Sequence, residues 1–272
     1  MSSTTRSLRS AASAIVLTLA GSALAYAGPA EIKQCDTLAA HPLDRDKPKE
    51  IEGAFDMEKK DAMAAIKACT AAADKDAPRR IYFQLGRAYE FNDAFADAGK
   101  NYQKAADAGS SAAMVAMAML NTTGQGMKEN PQVAREWFEK AANAGDTTGM
   151  TNFGSMLAAG AGGPKDVAKA REWLLKAAGA NNPDAMFQLG MMAQDGEGSP
   201  KDDKAAKEWF TKAAAVEHPG ALFVLGDYAR DGRAGPKDLK AAAEFYKKAA
   251  EMGDEEAEEA LKKLPKAPAG KK

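Results

Sequence analysis

The sequence contains few of the side chains on which enzymes and metal sites depend. Only two histidines, His41 and His218, and two cysteines, Cys35 and Cys69, occur among its 272 residues. Each histidine precedes a proline, in a segment that we expect to be a solvated turn, and a lone histidine of this kind is rarely catalytic. The histidines are far from the cysteines in sequence, so a zinc site lacks sufficient ligands.

The familiar catalytic and nucleotide-binding motifs are also missing. The chain has no Gly-x-Ser-x-Gly, no His-Glu-x-x-His and no Walker loop. Leu43–Glu50 and Gln194–Asp203 faintly resemble calcium loops, but neither has alternating oxygen ligands followed by a spaced terminal glutamate. We expect the first to be a solvated loop and the second to end one helix and cap the next. The sequence therefore predicts no catalytic site, no cofactor and no metal.

Long apolar runs are absent, except for one near the start of the chain. Arg6 and Arg9 precede the apolar segment Ala11–Ala20, and Ala25-Tyr26-Ala27 follows it. This order predicts a signal peptide over residues 1–27, cleaved after Ala27 or alternatively after Ala25. Gly21 and Ser22 interrupt the apolar run and no anchor flanks it, which argues against a retained membrane helix. We therefore expect a periplasmic or secreted protein without membrane insertion.

Charge of one sign is also lacking. The formal net charge is −1, and it becomes −3 when Arg6 and Arg9 are removed with the signal peptide. This weak acidic balance gives no electrostatic footprint for nucleic acid or anionic lipid.

The pair Cys35 and Cys69 predicts a disulfide, because an exported chain enters an oxidising compartment. Closing a loop of this length would stabilise the fold by roughly 3–4 kcal/mol.

The sequence contains motifs that recur at a fixed interval. The aromatic residues Trp137, Trp173, Trp209 and Phe245 follow one another at steps of 36 residues. A Lys-Ala-Ala triplet recurs at the same step, and so do loop glycines. Several independent markers at one period indicate a repeat array.

Each repeat unit is typical of two helices joined by a short loop. In one unit, the apolar residues of the first helix recur three and four apart over residues 185–193. Gly196 ends that helix, Pro200 prevents its continuation, and Asp202 is placed to cap the next helix. We expect the second helix to bury Trp209 and Ala213. Neither helix buries its apolar stripe alone, so the pattern predicts an all-α fold, a right-handed α-solenoid of stacked antiparallel helix pairs.

The same motifs carry a family resemblance. The order Ala-x₃-Leu-Gly, Gly-rich loop, Pro-Lys-Asp, Lys-Ala, Trp-Phe, Lys-Ala-Ala resembles Sel-one-like repeats (SLR), relatives of the tetratricopeptide repeat (TPR). Four such units span 111–254, and 79–110 is similar to a plain tetratricopeptide repeat. We expect a helical N-terminal extension with one disulfide over 28–78, a capping helix over 255–263 and a disordered tail over 264–272.

The resemblance implies a monomeric scaffold that binds a peptide or helix of a protein partner on its concave face. The residues that this carries over flank the small residue of each first helix. They are Phe83, Arg87, Glu90, Val115, Met119, Thr151, Asn152, Ser155, Phe187, Met191, Gln194, Phe223, Asp227 and Arg230. Three of them share one aromatic slot, which is either a binding stripe or padding between neighbouring repeats.

The resemblance also limits what the scaffold does. We expect a non-enzymatic periplasmic adaptor in envelope signalling or complex assembly. One alternative is a cell-wall-active protein that interacts with peptidoglycan or penicillin, although the cysteine pair found in each repeat of some secreted relatives is missing. The other alternative is a secreted effector.

Overall fold

The computed structural model describes residues 28–74 and 76–265. The predicted signal peptide and the predicted tail from residue 266 onward lie outside these residues. Regular structure in the described part is entirely helical. It comprises α1 (Pro29–Ala39), α2 (Lys59–Ala72), α3 (Arg79–Phe91), α4 (Phe95–Asp107), α5 (Ser111–Thr123), α6 (Pro131–Asn143), α7 (Thr147–Ala159), α8 (Val167–Gly179), α9 (Pro183–Asp195), α10 (Asp203–Ala215), α11 (Pro219–Asp231), α12 (Leu239–Glu251) and α13 (Glu255–Lys263).

Consecutive helices pack against each other along the described chain, as expected for a solenoid. The closest pairs are α3 with α4, α5 with α6, α7 with α8, α9 with α10, and α11 with α12. Among the first helices of successive pairs, α7 also touches α5 and α9, and we call the first helices the inner helices of the stack. The predicted α-solenoid is confirmed. Within residues 28–74 and 76–265, no helix is long and apolar enough to cross a bilayer.

The loop between the two helices of a repeat follows the predicted chemistry. Gly196 ends α9 in the left-handed conformation, with φ at +75°. Asp202 begins α10, and its Oδ1 accepts hydrogen bonds from the backbone N–H groups of Lys204 and Ala205 at 3.0 and 2.9 Å. Both predictions for this loop, the glycine stop and the aspartate cap, are confirmed.

The core residue of the second helix differs from the prediction by one position. Phe210 and Ala213 are fully buried, whereas Trp209 is only half-buried, so the expectation for Trp209 is wrong. A Cβ atom at Gly190 would lie 2.5 Å from Cε1 of Phe210, so the missing side chain makes room for this ring. The Trp209 ring lies one residue earlier on the helix, under the ammonium of Lys212 at 4.0 Å.

In the N-terminal extension a disulfide joins α1 to α2, and polar contacts join α1 to the first repeat. Cys35 of α1 and Cys69 of α2 form the predicted disulfide, and both are fully buried. The carboxylate of Asp36 accepts hydrogen bonds from Arg80 Nε at 2.9 Å and from Gln84 Nε2 at 2.9 Å. These bonds fasten α1 to α3, which starts the repeat stack.

The α1–α2 loop, residues 40–58, lies against the repeats instead of extending into solvent. Arg45 Nη1 donates to the Ala144 carbonyl oxygen at 3.3 Å, and Asp46 pairs with Arg79 at 2.7 Å. Asp44 is 3 % exposed. Leu43, Arg45, Lys49 and Glu50 are exposed, so much of Leu43–Glu50 is solvated as predicted, whereas Asp44 is buried against the prediction.

Candidate functional site

A concave pocket of about 430 Å³ lies where the α1–α2 loop meets the inner helices α3, α5 and α7. We call it the N-terminal pocket. Its lining combines residues of the loop with residues of the helices and of the turn before α7. They are His41, Leu43, Phe55, Phe83, Arg87, Glu90, Phe91, Tyr102, Ala112, Val115, Ala116, Met119, Asp146, Thr148 and Asn152.

The structure brings six of the predicted concave residues together in this pocket. They are Phe83, Arg87, Glu90, Val115, Met119 and Asn152. Ser155 and Met191 line a second pocket of about 320 Å³ between α7 and α9. Phe223 and Arg230 line a third pocket of about 440 Å³ beside α13. The predicted residues thus divide among three pockets along the inner helices.

The remaining predicted residues line none of these three pockets. Gln194 Oε1 accepts a hydrogen bond from the Tyr228 hydroxyl at 3.1 Å. Asp227 accepts one from the Tyr246 hydroxyl at 2.7 Å and pairs with Arg230. Phe187 packs inside its repeat, and Thr151 is buried. Their polar or aromatic groups are therefore engaged within the fold.

The N-terminal pocket exposes apolar surface from two segments, the α1–α2 loop and α5. Phe55 is 64 % exposed, Leu43 57 % and Met119 46 %. The two loop residues were missed by sequence reasoning, because the loop does not follow the 36-residue period. Apolar surface gathered in one concave place differs from singly exposed apolar residues, which need no explanation.

The aromatic slot of the inner helices serves packing within each repeat. Phe83 lies 5.7 Å from Tyr102, and Phe187 lies 5.5 Å from Phe210, measured between ring centroids. Phe223 repeats the arrangement against the second helix of its own pair. Phe83 is only 4 % exposed, so the prediction of an exposed aromatic is wrong there. The rings fill the space between the two helices of one repeat, and Phe187 also contacts His218, the N-cap residue of α11 in the next repeat.

Arg87 is also buried, at 4 % exposure, and its guanidinium holds the α1–α2 loop to α3. Nη1 donates to the Ala39 carbonyl oxygen at 2.8 Å, and Nη2 donates to those of Ala54 and Phe55 at 2.7 and 3.1 Å. Burial lowers the pKa of Arg87, and the nearby Tyr102 and Glu90 oppose this effect. Its donors are thus bound to backbone carbonyls.

Glu90 faces the pocket and accepts a short hydrogen bond from the Tyr102 hydroxyl. Burial, together with the Glu90 charge, raises the pKa of Tyr102 well above its ordinary value. Tyr102 therefore stays protonated and acts as a donor. The arrangement positions a carboxylate at the pocket wall.

Both histidines differ from the prediction of solvated turns. His41 lines the N-terminal pocket, with its ring edge-on to Phe55 at 5.2 Å between centroids. Burial, followed by the charge of Arg87, lowers the pKa of His41 to about 4, so the ring is neutral near neutral pH. The His218 side chain is 15 % exposed, and its Nδ1 accepts the Ala221 N–H at 3.0 Å as the N-cap of α11. Each ring contacts residues outside its own turn: His41 contacts Phe55, and His218 contacts Asp184.

Comparison with solved structures finds the same architecture. A Sel1 repeat protein from Oxalobacter formigenes is 24% identical, with a TM-score of 0.68, over 74% of this chain and 83% of that chain. A protective antigen of uropathogenic Escherichia coli strains that displays an SLR fold, c5321, is 27% identical, with a TM-score of 0.65. That match covers 74% of this chain and 44% of the antigen. The chain thus spans less than half of the antigen's length.

Comparison with curated proteins finds no significant match. The family model for the Sel1 repeat matches residues 95–110, 111–146, 148–182, 183–218 and 219–254. The last four segments coincide closely with the units that resemble Sel-one-like repeats, and the first segment covers α4. These segments make up more than half of the sequence and span α4 to α12. The chain belongs to the Sel1 repeat family.

Proposed function

We propose that this protein is an exported, non-catalytic scaffold that binds a segment of another protein along the concave face of its inner helices. Sel1 repeat proteins are generally protein-interaction scaffolds, and their fold is typically non-catalytic. In this chain the N-terminal pocket is the anchoring point for the partner.

One observation carries the proposal. Leu43, Phe55 and Met119 expose apolar surface into the same concave pocket, although they come from two distant parts of the chain. The interior of a protein interface is typically apolar and concave enough to exclude water, and polar residues surround it. Glu90 and Asn152 supply such polar groups at the wall of the pocket. The geometry therefore favours insertion of an apolar side chain from a partner.

The export of the scaffold is part of the proposal and has its own support. Residues 1–27 have the order of a signal peptide. The buried disulfide between Cys35 and Cys69 is of the kind that persists in oxidising compartments. We place the protein in the periplasm or outside the cell, acting in envelope signalling or in the assembly of an envelope complex.

The test is site-specific photo-crosslinking in cells of the native host. A photoreactive amino acid replaces Met119 in the N-terminal pocket, or Leu175 as the control. Leu175 lies on α8, a second helix of a repeat, and its 41 % exposure is close to the 46 % of Met119. We expect a discrete protein adduct from position 119 and none from position 175. The same adducts from both positions, or none from position 119, would contradict the proposal.

A further inference from the structure

The three concave pockets differ from the outer surface in their charge. The inner helices α3, α5, α7, α9, α11 and α13 together carry nine acidic and six basic side chains. The outer helices α4, α6, α8, α10 and α12 carry nine acidic and thirteen basic ones. The chain as a whole is nearly neutral, so its weak net charge conceals an acidic inner face and a basic outer face.

The basic groups that line the three pockets are already engaged. Lys165 pairs with Glu197 at 2.8 Å, Arg230 with Asp227 at 2.7 Å, and Lys263 with Glu259 at 2.8 Å. Arg87, as described above, is bound to backbone carbonyl oxygens. A paired base is poorly available to attract an anionic partner, since its charge is already neutralised locally.

Two acidic side chains in the same pockets, unlike the paired basic groups, have no ion-pair partner in the described part of the chain. Asp195 lines the second pocket and Glu256 lines the third, and both are exposed. Neither makes an ion pair with any residue in 28–74 or 76–265. Glu90 adds a third carboxylate at the N-terminal pocket, where it accepts a hydrogen bond from Tyr102. The concave face therefore has an apolar pocket at its N-terminal end and the unpaired carboxylates of Asp195 and Glu256 farther toward its C-terminal end.

We infer that the concave face takes an extended cationic segment with one large apolar side chain near the end that enters the N-terminal pocket. The apolar side chain contacts Leu43, Phe55 and Met119, and lysine or arginine side chains of the segment pair with Asp195 and Glu256. Charge complementarity of this kind selects partners mainly by excluding those of like charge. This inference rests on the proposed function, since it defines the chemistry of the partner.

The length of the segment follows from the helix stack. Adjacent packed helices lie about 10 Å apart, so four steps from α5 to α13 span roughly 40 Å. An extended chain covers about 3.4 Å per residue, and a segment of about twelve residues therefore reaches from the first pocket to the last.

The test uses synthetic peptides of about this length and full-length mature protein. The probe carries a fluorophore, one tryptophan near one end, several lysines, and serine or glycine elsewhere. In one counterpart every lysine is replaced by glutamate, and in the other the tryptophan is replaced by serine. Fluorescence anisotropy at low salt measures the affinity of each. We expect the cationic probe to bind at least roughly tenfold more tightly than the anionic one, and loss of the tryptophan to weaken binding.

Matched variants locate the contact on the protein. Asp195→Asn/Glu256→Gln should weaken the cationic probe roughly fivefold. The control Glu172→Gln/Glu208→Gln changes the net charge equally, but on the outer helices α8 and α10, and should leave affinity almost unchanged. Met119→Gln should weaken binding, and Leu175→Gln should not. Circular dichroism and thermal melting verify that each variant is folded.

Equal or tighter binding of the anionic peptide, or equal effects of the inner and outer charge variants, would overturn this inference. A protein adduct from position 119 in cells would still stand in that case, and the scaffold proposal with it. Conversely, if position 119 yields no adduct, the scaffold proposal fails whatever the peptides do. The two failures are therefore distinguishable.

Discussion

The imidazole of His218 stacks on the ring of Phe187, with 4.6 Å between centroids and 16° between planes. The same imidazole caps α11 through its Nδ1, and its Nε2 lies 3.3 Å from Oδ1 of Asp184. One side chain thus joins the start of α11 to the start of α9. Ser110, Asp146, Asn182 and Asp254 occupy the equivalent capping position in other repeats.

The two roles of His218 separate in a pair of substitutions. His218→Ala removes the cap, the stack and the contact with Asp184, while His218→Asn keeps a capping oxygen and removes only the stack and the Asp184 contact. We expect the alanine variant to unfold about 1 kcal/mol more easily than the asparagine variant, which is a typical value for an N-cap. Urea denaturation followed by circular dichroism measures the difference. Equal stability of the two variants would show that the cap contributes nothing.

Gly190 is predicted to tolerate no side chain. The Cβ atom of Gly190→Ala would meet the buried Phe210 ring, and overpacking of this kind costs about 1–3 kcal/mol. Gly179→Ala is the matched control, because nothing lies within 4 Å of a Cβ atom there and α8 is helical at that residue. The control should be neutral or slightly stabilised, since alanine favours the helix. Thermal unfolding measures the stability of both variants. A Gly190→Ala variant as stable as the wild type would contradict the close packing of Gly190 against Phe210.

Asp44 makes stability depend on pH. Burial raises the pKa of this carboxyl to about 6, against the lowering effect of a hydrogen bond from Asp46 and of the Arg80 and Arg79 charges. No donor in the described part of the chain reaches its second oxygen. Because the folded-state pKa lies above the unfolded value, Asp44 weakens the fold as pH rises from about 4 to about 6.

The measurement compares the wild type with Asp44→Asn. The advantage of the asparagine variant should grow by at most roughly 3 kcal/mol between pH 4 and pH 6 and then level off. His41 acts in the opposite sense: its pKa is lowered to about 4, so its contribution is lost as pH falls from 6.5 toward 4. The effect of His41 is common to both proteins and cancels in the difference. A difference that does not change with pH would contradict the assignment to Asp44.

Removal of the disulfide should destabilise one end of the array selectively. The bond between Cys35 and Cys69 has a sequence separation of 34, for which the chain-entropy model gives roughly 3–4 kcal/mol. In Cys35→Ala/Cys69→Ala, backbone amides of α1 and α2 should exchange hydrogen faster, while those of α9–α12 keep their protection. Hydrogen exchange read by mass spectrometry distinguishes this outcome from a uniform loss of protection, which the prediction does not allow.

The periodic part of the fold was predictable from the sequence. Each repeat carries its own signals, such as Gly196 and Asp202, and these act on neighbours close in the chain. The error in the core of the second helix, Trp209 in place of Phe210, is a rotation of one residue around the helix. Periodicity fixes the spacing of aromatic residues, but the missing side chain at Gly190 determines which ring enters the core.

The part of the candidate site that the α1–α2 loop supplies was not predictable from the sequence. The α1–α2 loop has no periodic counterpart, and its position depends on contacts between residues far apart in sequence. Arg45 reaches a carbonyl oxygen 99 residues away, and Arg87 reaches carbonyl oxygens of the loop 32 and 33 residues before it. A composition of His, Leu, Asp and Arg in a loop indicates solvent by default, so Leu43 and Phe55 were not assigned to the concave face.

The contact between Arg45 and the Ala144 carbonyl oxygen also affects how the molecule unfolds. A repeat array is stabilised mainly between nearest neighbours, so its ends can open one unit at a time. Here Arg45, near the start of the chain, is fastened to the turn between α6 and α7, and helices α2 to α6 lie between the two residues in the sequence. We therefore expect this half of the array to open more cooperatively than the half from α9 onward, where contacts between neighbouring helices hold the stack.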